Sequence, residues 1–275
     1  MTIAIGSDKM EQIFYMSLSQ PPRLERSLQR VTTSGWVITI RLDVDDVDDM
    51  SSYPFSIPAV RALASELVLD PAVTFLVGDN GSGKSTLIEA VAVAAGFHPE
   101  GGSRNFAFST RESTSDLHRH LRLTRPPRRP RTGYFLRPES FFNVATEVEE
   151  LGPEIAGVYG ERNLHEQSHG ESFQALVQNR FGRDGLYIMD EPEAALSPQG
   201  CLVLLRQIHD LVAAGGQFII ATHSPLLIAY PGATVYELGE DGIEPTPFDQ
   251  AAGYQLFQLF LDAPQRFLRH LFDDM

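Results

Sequence analysis

The most distinctive stretch of the sequence is a glycine-rich turn that ends in lysine and serine. It satisfies the pattern G-x-x-x-x-G-K-[ST]. Glycines allow consecutive backbone N–H groups to turn inward around an anion, and a helix that begins there adds the positive end of its dipole. The pattern predicts a nucleoside triphosphate site in which Lys84 contacts the β- and γ-phosphates and the Ser85 hydroxyl binds Mg²⁺. The predicted nucleotide-binding residues are Gly78, Asp79, Asn80, Gly81, Ser82, Gly83, Lys84, Ser85 and Thr86.

Two adjacent carboxylates follow an apolar run further along the chain. Leu186–Met189 predicts a buried strand, and Asp190 and Glu191 come directly after it. Open α/β sheets bind ligands at the carboxyl ends of their strands. We therefore expect Asp190 to hold Mg²⁺, directly or through water, and Glu191 to polarise the water that attacks the γ-phosphate.

Two further segments have the residue types of a phosphate site. His223 follows another predicted strand and is expected to contact the γ-phosphate as a catalytic residue together with Glu191 and Lys84. Ser168 and Gly170 lie where a helix opens, so a hydroxyl and backbone N–H groups face an anion there. Taken alone, this segment is also explained as a capping box, because Ser168 lies three residues before Glu171.

Short apolar strands that alternate with helices must position these residues, and this order predicts an α/β fold with a mostly parallel sheet. The predicted strands are Trp36–Val44, Ala72–Val77, Leu186–Met189 and Gln217–Ala221, with a hairpin of Val235–Leu238 and Ile243–Glu244. The predicted helices are Ser85–Ala95, Glu171–Phe181, Pro198–Ala214 and residues 249–273, the last interrupted at Pro264.

Five segments together resemble the motifs of the ATP-binding-cassette (ABC) ATPases in family order. They match Walker A, signature, Walker B, D-loop and H-loop, and they are Gly78–Ser85, Ser168–Ser172, Leu186–Pro192, Ala195–Pro198 and Thr222–Pro225. The resemblance implies a two-lobed P-loop domain with an N-terminal antiparallel β portion and a small helical lobe at about 97–182. It also implies ATP and Mg²⁺ as cofactors, ATP hydrolysis, and a homodimer that closes head to tail on ATP. Ser168 and Gly170 of one protomer would then contact the ATP that the other protomer holds.

The wording of the motifs resembles the soluble RecF/SMC/OLD-like branch. Glu191-Pro192-Glu193 and Thr222-His223-Ser224-Pro225 follow that branch, whereas transporter ATPases more often read DEPTSALD and THD. Only 84 residues separate Lys84 from Ser168 and 52 follow His223, so we expect neither a coiled-coil arm nor a nuclease domain. The resemblance implies a stand-alone ATPase that acts as a conformational switch in DNA-related or defence processes. The alternative is the ATP-binding subunit of an ABC transporter.

Two departures from the ABC pattern concern the coupling of nucleotide to a partner. His169 stands where the signature has its first glycine, and no glutamine occupies the expected Q-loop. The strand end before Pro138 offers Arg137 or Glu139 in its place.

Composition limits the classes of partner. The 275-residue chain has a net charge of −14, which excludes binding of nucleic acid over the whole surface. The segment Arg119–Arg137 contains seven arginines and no acid, which predicts either contact with DNA or RNA phosphates or a solvated loop that balances nearby acids. A single cysteine and no apolar run near 18 residues indicate a cytoplasmic protein without a transmembrane segment. The missing Q-loop glutamine and the residues Glu193 and Ser224 count against a membrane permease as its partner.

The two ends of the chain carry less specific signals. Residues 1–30 are expected to form a weakly ordered leader, and residues 31–275 a single ABC-type ATPase domain. Near the other end, apolar residues recur at helical spacing, which favours core packing, with a partner-docking helix as the alternative. These apolar residues are Leu256, Phe257, Leu259, Phe260, Phe267, Leu268 and Leu271.

Overall fold

Two β-sheets flanked by helices make up the computed structural model, which describes residues 35–103, 115–137 and 169–273. The strands are β1 (Thr39–Leu42), β2 (Leu67–Val68), β3 (Val73–Gly78), β4 (Gly102–Ser103), β5 (Leu121–Thr124), β6 (Thr132–Leu136), β7 (Gly185–Asp190), β8 (Gln217–Ala221), β9 (Thr234–Gly239) and β10 (Gly242–Pro245). The helices are α1 (Pro58–Ala62), α2 (Lys84–Ala94), α3 (Leu117–His120), α4 (His169–Arg180), α5 (Pro198–Ala213), α6 (Pro225–Ile228), α7 (Ala252–Asp262) and α8 (Pro264–Asp273).

The larger sheet has seven strands in the order β10-β9-β3-β8-β7-β6-β4. The five central strands, from β9 to β6, run parallel, and β4 and β10 pair antiparallel at the two edges. Leu76 and Asp190 both pair with Ala221, so the carboxyl ends of β3, β8 and β7 lie side by side. The predicted α/β fold with a mostly parallel sheet is confirmed.

The core lies on both faces of this sheet, because its parallel strands are apolar throughout. Successive residues of β7 point to opposite faces. Tyr187 and Met189 pack with α4, α5 and α6, whereas Leu186 and Ile188 pack with α2 and the smaller sheet. The helix that follows the glycine-rich turn is thus held between the two sheets, which fixes its first turn relative to the strand ends.

The smaller sheet is antiparallel and has the order β2-β1-β5. Thr39 pairs with Val68 on one side and with Thr124 on the other. Its central strand comes from the N-terminal part of the described chain, as the predicted antiparallel β portion requires. The strand is shorter than the predicted Trp36–Val44, because Val44–Asp46 form a 3-10 turn that ends the pairing.

The other predicted elements of the sheet region agree with the structure to within two residues. The hairpin of β9 and β10 pairs Leu238 with Ile243, and the C-terminal helical region breaks at Pro264 as expected. The Arg119–Arg137 segment, however, is not one loop. Its two ends form α3, β5 and β6, and only residues 125–131 connect these strands. The division into a leader and one ATPase domain stays a prediction.

The expectation of core packing near the C-terminus is wrong. Helix α7 has no buried residue, and most apolar side chains of α7 and α8 are exposed. Among the apolar residues predicted here, only Phe267 is partly covered. A helical period identifies an apolar face, but it does not identify the surface that covers it.

Gln217 joins the two sheets through a fully buried side chain. Its amide accepts a hydrogen bond from the Val37 N–H at 2.8 Å and donates to the carbonyls of Val37 and Asp70 at 2.8 and 2.9 Å. Replacing Gln217 by Ala leaves these backbone groups buried without partners, which should lower the free energy of unfolding by about 3 kcal/mol.

Urea unfolding of the Gln217→Ala protein measures this loss. The matched control is Gln258→Ala, which removes an exposed amide from α7 and should change stability by less than about 0.5 kcal/mol. Equal stabilities for the two variants would contradict the role of Gln217 as a connection between the sheets.

Candidate functional site

The glycine-rich turn connects the end of β3 to the start of α2 and has the backbone of an anion-binding loop. Gly78, Gly81 and Gly83 have φ angles of 144°, 84° and 94°. A Cβ atom on Gly83 would lie 2.7 Å from Cγ2 of Ile57, and one on Gly78 would overlap the carbonyl of Leu238. Only glycine is compatible with this turn at these two positions, as the sequence pattern predicts.

The ammonium group of Lys84 donates hydrogen bonds to the backbone of its own loop. Lys84 Nζ donates to the carbonyls of Gly78 and Asp79 at 2.9 and 2.8 Å. Burial lowers the pKa of Lys84, and the nearby carboxylates of Glu191 and Asp190 oppose this shift. The Ser82 hydroxyl is buried and has no hydrogen-bond partner within the described part of the chain. A phosphate oxygen fits both groups, because it accepts from a hydroxyl and an ammonium.

The strand end of β7 meets the first turn of α2. Ser85 Oγ donates to Asp190 Oδ1 at 3.2 Å, and Asp190 is only 5% exposed. Burial raises the pKa of Asp190 to about 6, and the positive charge of Arg137 counteracts that effect. A hydroxyl and a carboxylate are oxygen ligands of the kind Mg²⁺ uses in phosphate sites, so these residues fit the ion.

The next residue has an unusual backbone. Glu191 has a φ angle of 45°, which is the left-handed region that non-glycine residues rarely adopt. Its Oε1 lies 3.5 Å from Nε2 of His223, and each side chain is 37% exposed. Such strain is concentrated at functional sites. The structure thus brings Glu191 and His223, two of the three sequence-predicted catalytic residues, together beside the phosphate loop that carries the third, Lys84.

Glu193 is a site residue to which the sequence analysis assigned no role. Its Oε1 accepts the backbone N–H of His223 at 2.5 Å, and its Oε2 is buried with no partner among the described residues. The carboxylate therefore holds the loop after β8 against the loop after β7. The signal was present in the motif itself, since a second acid follows Glu191-Pro192.

Tyr53 also lies beside the predicted site without a signal in the local sequence. Its hydroxyl is 3.3 Å from Oγ1 of Thr86, and 69% of its surface is exposed. An exposed aromatic ring next to a phosphate loop can stack on a nucleotide base.

Arg137 lies directly after β6, next to Asp190 in the sheet, because Leu136 pairs with Met189. Its Nη1 is 2.8 Å from Oε2 of Glu89, which lies one helical turn after Ser85 on α2. Burial raises the pKa of Glu89, and Arg137 opposes that rise. Of the two candidates for the Q-loop position, Arg137 lies at the strand end, and Glu139 is outside the described residues.

The predicted signature is only partly described. Ser168 lies outside the described residues, and Gly170 is in the first turn of α4. The D-loop segment, Ala195–Pro198, leads into α5, and its Ser197 hydroxyl caps that helix by accepting the Gly200 N–H at 3.1 Å. Asp79 and Asn80 lie in the turn between β3 and α2.

Several arginines of the Arg119–Arg137 segment have partners. Arg122 pairs with Asp43 at 2.9 Å, and Arg128 lies over the Trp36 ring at 5.6 Å from its centroid. All of its arginines except Arg137 are nevertheless exposed. The described residues contain no cluster of three or more His, Cys, Asp or Glu side chains suited to a metal ion, and no helix among them is long and apolar enough to cross a membrane.

The chain is similar to a known domain family and to two ATP-binding proteins. Residues 73–131 match the domain family described as "AAA domain, putative AbiEii toxin, Type IV TA system". The chain is 29% identical over 231 residues to a ribose/galactose/methyl galactoside import ATP-binding protein of Rhizobium etli, covering 73% of this chain and 44% of that protein. It is 27% identical over 163 residues to the cytochrome c biogenesis ATP-binding export protein CcmA of Rhodopseudomonas palustris, covering 55% of this chain and 78% of that protein.

Solved structures with some similarity include the SMC head domain from Thermotoga maritima, with a TM-score of 0.40 and 18% identity over 66% of this chain and 93% of that one. CbiO1 from Clostridium perfringens has a TM-score of 0.41 and 18% identity over 76% and 90%. The sequence matches and the ordered motifs support an ABC-type ATPase, and the RecF/SMC/OLD-like branch is compatible with them. The chain spans less than half the length of the import protein.

The raised pKa of Asp190 predicts a pH-dependent stability of the nucleotide-free protein. Because the pKa in the folded chain, about 6, exceeds the unfolded value of 3.8, the stability contribution is full below pH 3.8 and is lost as the pH rises through 6. Replacing Asp190 by Asn removes this loss. The gain in unfolding free energy should be near zero at pH 4 and about 2–3 kcal/mol at pH 7.

Urea unfolding of both proteins between pH 4 and 7.5, without nucleotide or metal, measures the difference. Asp249→Asn, which changes an exposed carboxylate, is the control and should show no such trend. A gain that does not depend on pH would contradict the assigned cause.

Proposed function

We propose that this protein is a Mg²⁺-dependent ATPase whose reaction takes place at the carboxyl ends of β3, β7 and β8. The observation that carries the proposal is the contact of Ser85 with Asp190 at 3.2 Å. It joins the phosphate loop to a buried carboxylate at the sheet edge where α/β proteins bind ligands.

Nucleotide binding uses groups that are held within the loop. Lys84 exchanges the carbonyls of Gly78 and Asp79 for phosphate oxygens, and the Ser82 hydroxyl gains an acceptor. Tyr53 stacks on the base from the side of Thr86. With ATP bound in this way, the γ-phosphate would lie in front of the β7 strand end.

Ser85 and Asp190 are the residues that would hold Mg²⁺, which neutralises phosphate charge when it is bound. Asp190 must be ionised for this role. Burial disfavours its charged form, and Arg137 and Lys84 compensate from two sides. The arginine at the end of β6 therefore favours the ionised carboxylate at neutral pH.

Glu191 accepts a proton from the attacking water, and His223 contacts the γ-phosphate. Their separation of 3.5 Å leaves both side chains at the same opening. Glu193 Oε1 accepts the His223 N–H at 2.5 Å and so holds the His223 ring beside Glu191. Most of the rate enhancement would come from positioning and charge stabilisation.

The second part of the proposal concerns assembly. Ser168 and Gly170 of a second copy would complete the ATP site, and closing and opening of that homodimer would act as a switch in a DNA-related or defence process in the cytoplasm. Support comes from the motif order and from the branch-specific residues Glu193 and Ser224. The alternative, a subunit that energises a membrane permease, is supported by the names of the two curated relatives. Copurification with a permease would favour the alternative.

Contact with DNA or RNA through Arg119–Arg137 is a second candidate function. It is favoured by the exposed arginines of the 125–131 loop, Arg125, Arg128, Arg129 and Arg131. Reversing three of them to Glu should abolish salt-sensitive binding of a labelled duplex. Unchanged binding after this reversal would remove the candidate.

Two substitutions test the ATPase. Lys84→Ala removes the ammonium from the phosphate loop and should weaken ATP binding at least tenfold, about 1.4 kcal/mol. Glu191→Gln should retain ATP binding and lower turnover by roughly a hundredfold or more. Fluorescent-nucleotide titration and phosphate release measure the two effects, and Arg206→Ala and Glu244→Gln, both exposed and outside the site, are the controls.

Wild-type turnover in the Glu191→Gln protein would show that another group is the base. Wild-type chain that neither binds ATP nor releases phosphate would refute the proposed function as a whole.

A further inference from the structure

The helical hairpin of α7 and α8, residues 252–273, carries a concentration of exposed large apolar side chains. Their exposed fractions lie between 37% and 70%. Exposed apolar residues elsewhere in the described chain, such as Val68 and Leu202, are scattered through other elements. The hairpin set is Leu256, Phe257, Leu259, Phe260, Leu261, Leu268, Leu271 and Phe272.

The two helices form one apolar surface. On α7 the polar residues Gln255, Gln258 and Asp262 share one narrow face, since they are three and seven positions apart. The rest of that helix is apolar, which is typical of a helix in contact with more than one neighbour. The rings of Phe260 and Phe267 meet edge to face at 5.9 Å and join α7 to α8.

The size of this surface matches a protein interface. Eight leucine and phenylalanine side chains at these exposures present roughly 800 Å² of accessible surface, about what each partner contributes to a stable protein complex. Monomeric soluble proteins rarely leave a contiguous apolar patch of that size in water.

The charge of the hairpin distinguishes between possible occupants. Asp262 and Asp273 cancel Arg266 and Arg269 within residues 252–273, whereas the whole chain has a net charge of −14. An anionic lipid surface would find no excess of positive charge here, although peripheral membrane helices use one. A second copy of this acidic chain would meet here through helices of no net charge, so like-charge repulsion between the facing helices would be small.

We propose that the hairpin is an interface between two copies of this chain and that this dimer forms without nucleotide. The contact is isologous, with α7 and α8 of each copy packed against the same helices of the other. The proposal goes beyond the ATP-dependent assembly inferred above, because it needs neither ATP nor the signature residues.

The hairpin also begins at the candidate nucleotide site. Ala251, Gly253 and Tyr254 line a cavity together with Gly78 and His223. The Ala252 N–H donates to Glu237 Oε1 at 3.0 Å, which fixes the start of α7 to β9. A permanent dimer held here keeps two nucleotide sites tethered, so that their closure on ATP becomes an intramolecular step at high effective concentration.

Light scattering without nucleotide at micromolar protein concentration tests the proposal. The wild-type chain should have twice the mass of one chain. The Leu261→Asp, Leu271→Asp double variant should be monomeric, with a dimer dissociation constant raised at least about a hundredfold. The matched control is the Val68→Asp, Leu202→Asp variant, which places the same charges on exposed apolar positions elsewhere and should stay dimeric.

Both variants should fold and retain ATP binding, because the replaced side chains are exposed. The control should unfold at the wild-type temperature, whereas the double variant should unfold at a lower temperature because it loses the stabilisation that dimerisation gives. A second test labels Leu261→Cys or Leu271→Cys proteins with a maleimide. Because the native Cys201 is buried, the introduced thiol should react several-fold more slowly at concentrations where the dimer forms than after dilution below its dissociation constant. If the double variant fails to fold, this protection of the single variants still decides the question.

A monomeric wild-type chain without nucleotide, or a double variant that remains dimeric, would overturn the proposal. Binding of the monomeric wild-type chain to phosphatidylserine vesicles would assign the hairpin to lipid instead and overturn it equally. A dimer that appears only with Mg-ATP would refute this interface while supporting the proposed ATPase assembly. Adding Glu191→Gln to the monomeric double variant isolates the ATP-dependent contact, so the two proposals fail separately.

Discussion

The parallel pairing of β3, β8 and β7 is the constraint on which the candidate site depends. Leu76 and Asp190 both pair with Ala221, so three chain segments that lie far apart in sequence end at one edge. Each segment then leaves the sheet with a different kind of group. The glycine-rich turn contributes donors, the β7 end contributes carboxylates, and the β8 end contributes a histidine.

Charge at this edge is balanced at a cost in stability. Asp190 is buried enough to raise its pKa to about 6, and burial lowers the pKa of Lys84 in the same place. Neither group has a fully compensating partner among the described residues. Lys84 donates to backbone carbonyls. Arg137 lowers the pKa of Asp190 by its charge, but its Nη1 lies 2.8 Å from Oε2 of Glu89 and so also compensates that carboxylate. A ligand that carries negative phosphate charge together with a divalent cation, as the proposed Mg-ATP complex does, would compensate both groups.

Sequence reasoning succeeded where the information is local. The phosphate turn, its flanking strand and helix, and the β9–β10 hairpin all follow from glycine placement and short apolar runs. It missed Tyr53 and the function of Glu193, because their contacts with Thr86 and His223 join segments about 30 residues apart. It could not choose between Arg137 and Glu139, since only the sheet register puts Arg137 beside Asp190. It was wrong about the C-terminal apolar residues, whose spacing predicts a face without specifying what covers it.

The exposure of these apolar side chains bears on how the nucleotide site could be coupled to the association of two copies. The apolar side chains of α7 and α8 take no part in burying the sheet, and the proposed dimer contact would cover them. The hairpin starts where Ala251 and Tyr254 border Gly78 and His223, and the Ala252 N–H ties it to β9. A movement of the His223 loop on γ-phosphate binding would therefore reach the first turn of α7 through packed atoms. An interface placed on this hairpin would transmit nucleotide state between copies without the Q-loop glutamine that the sequence lacks.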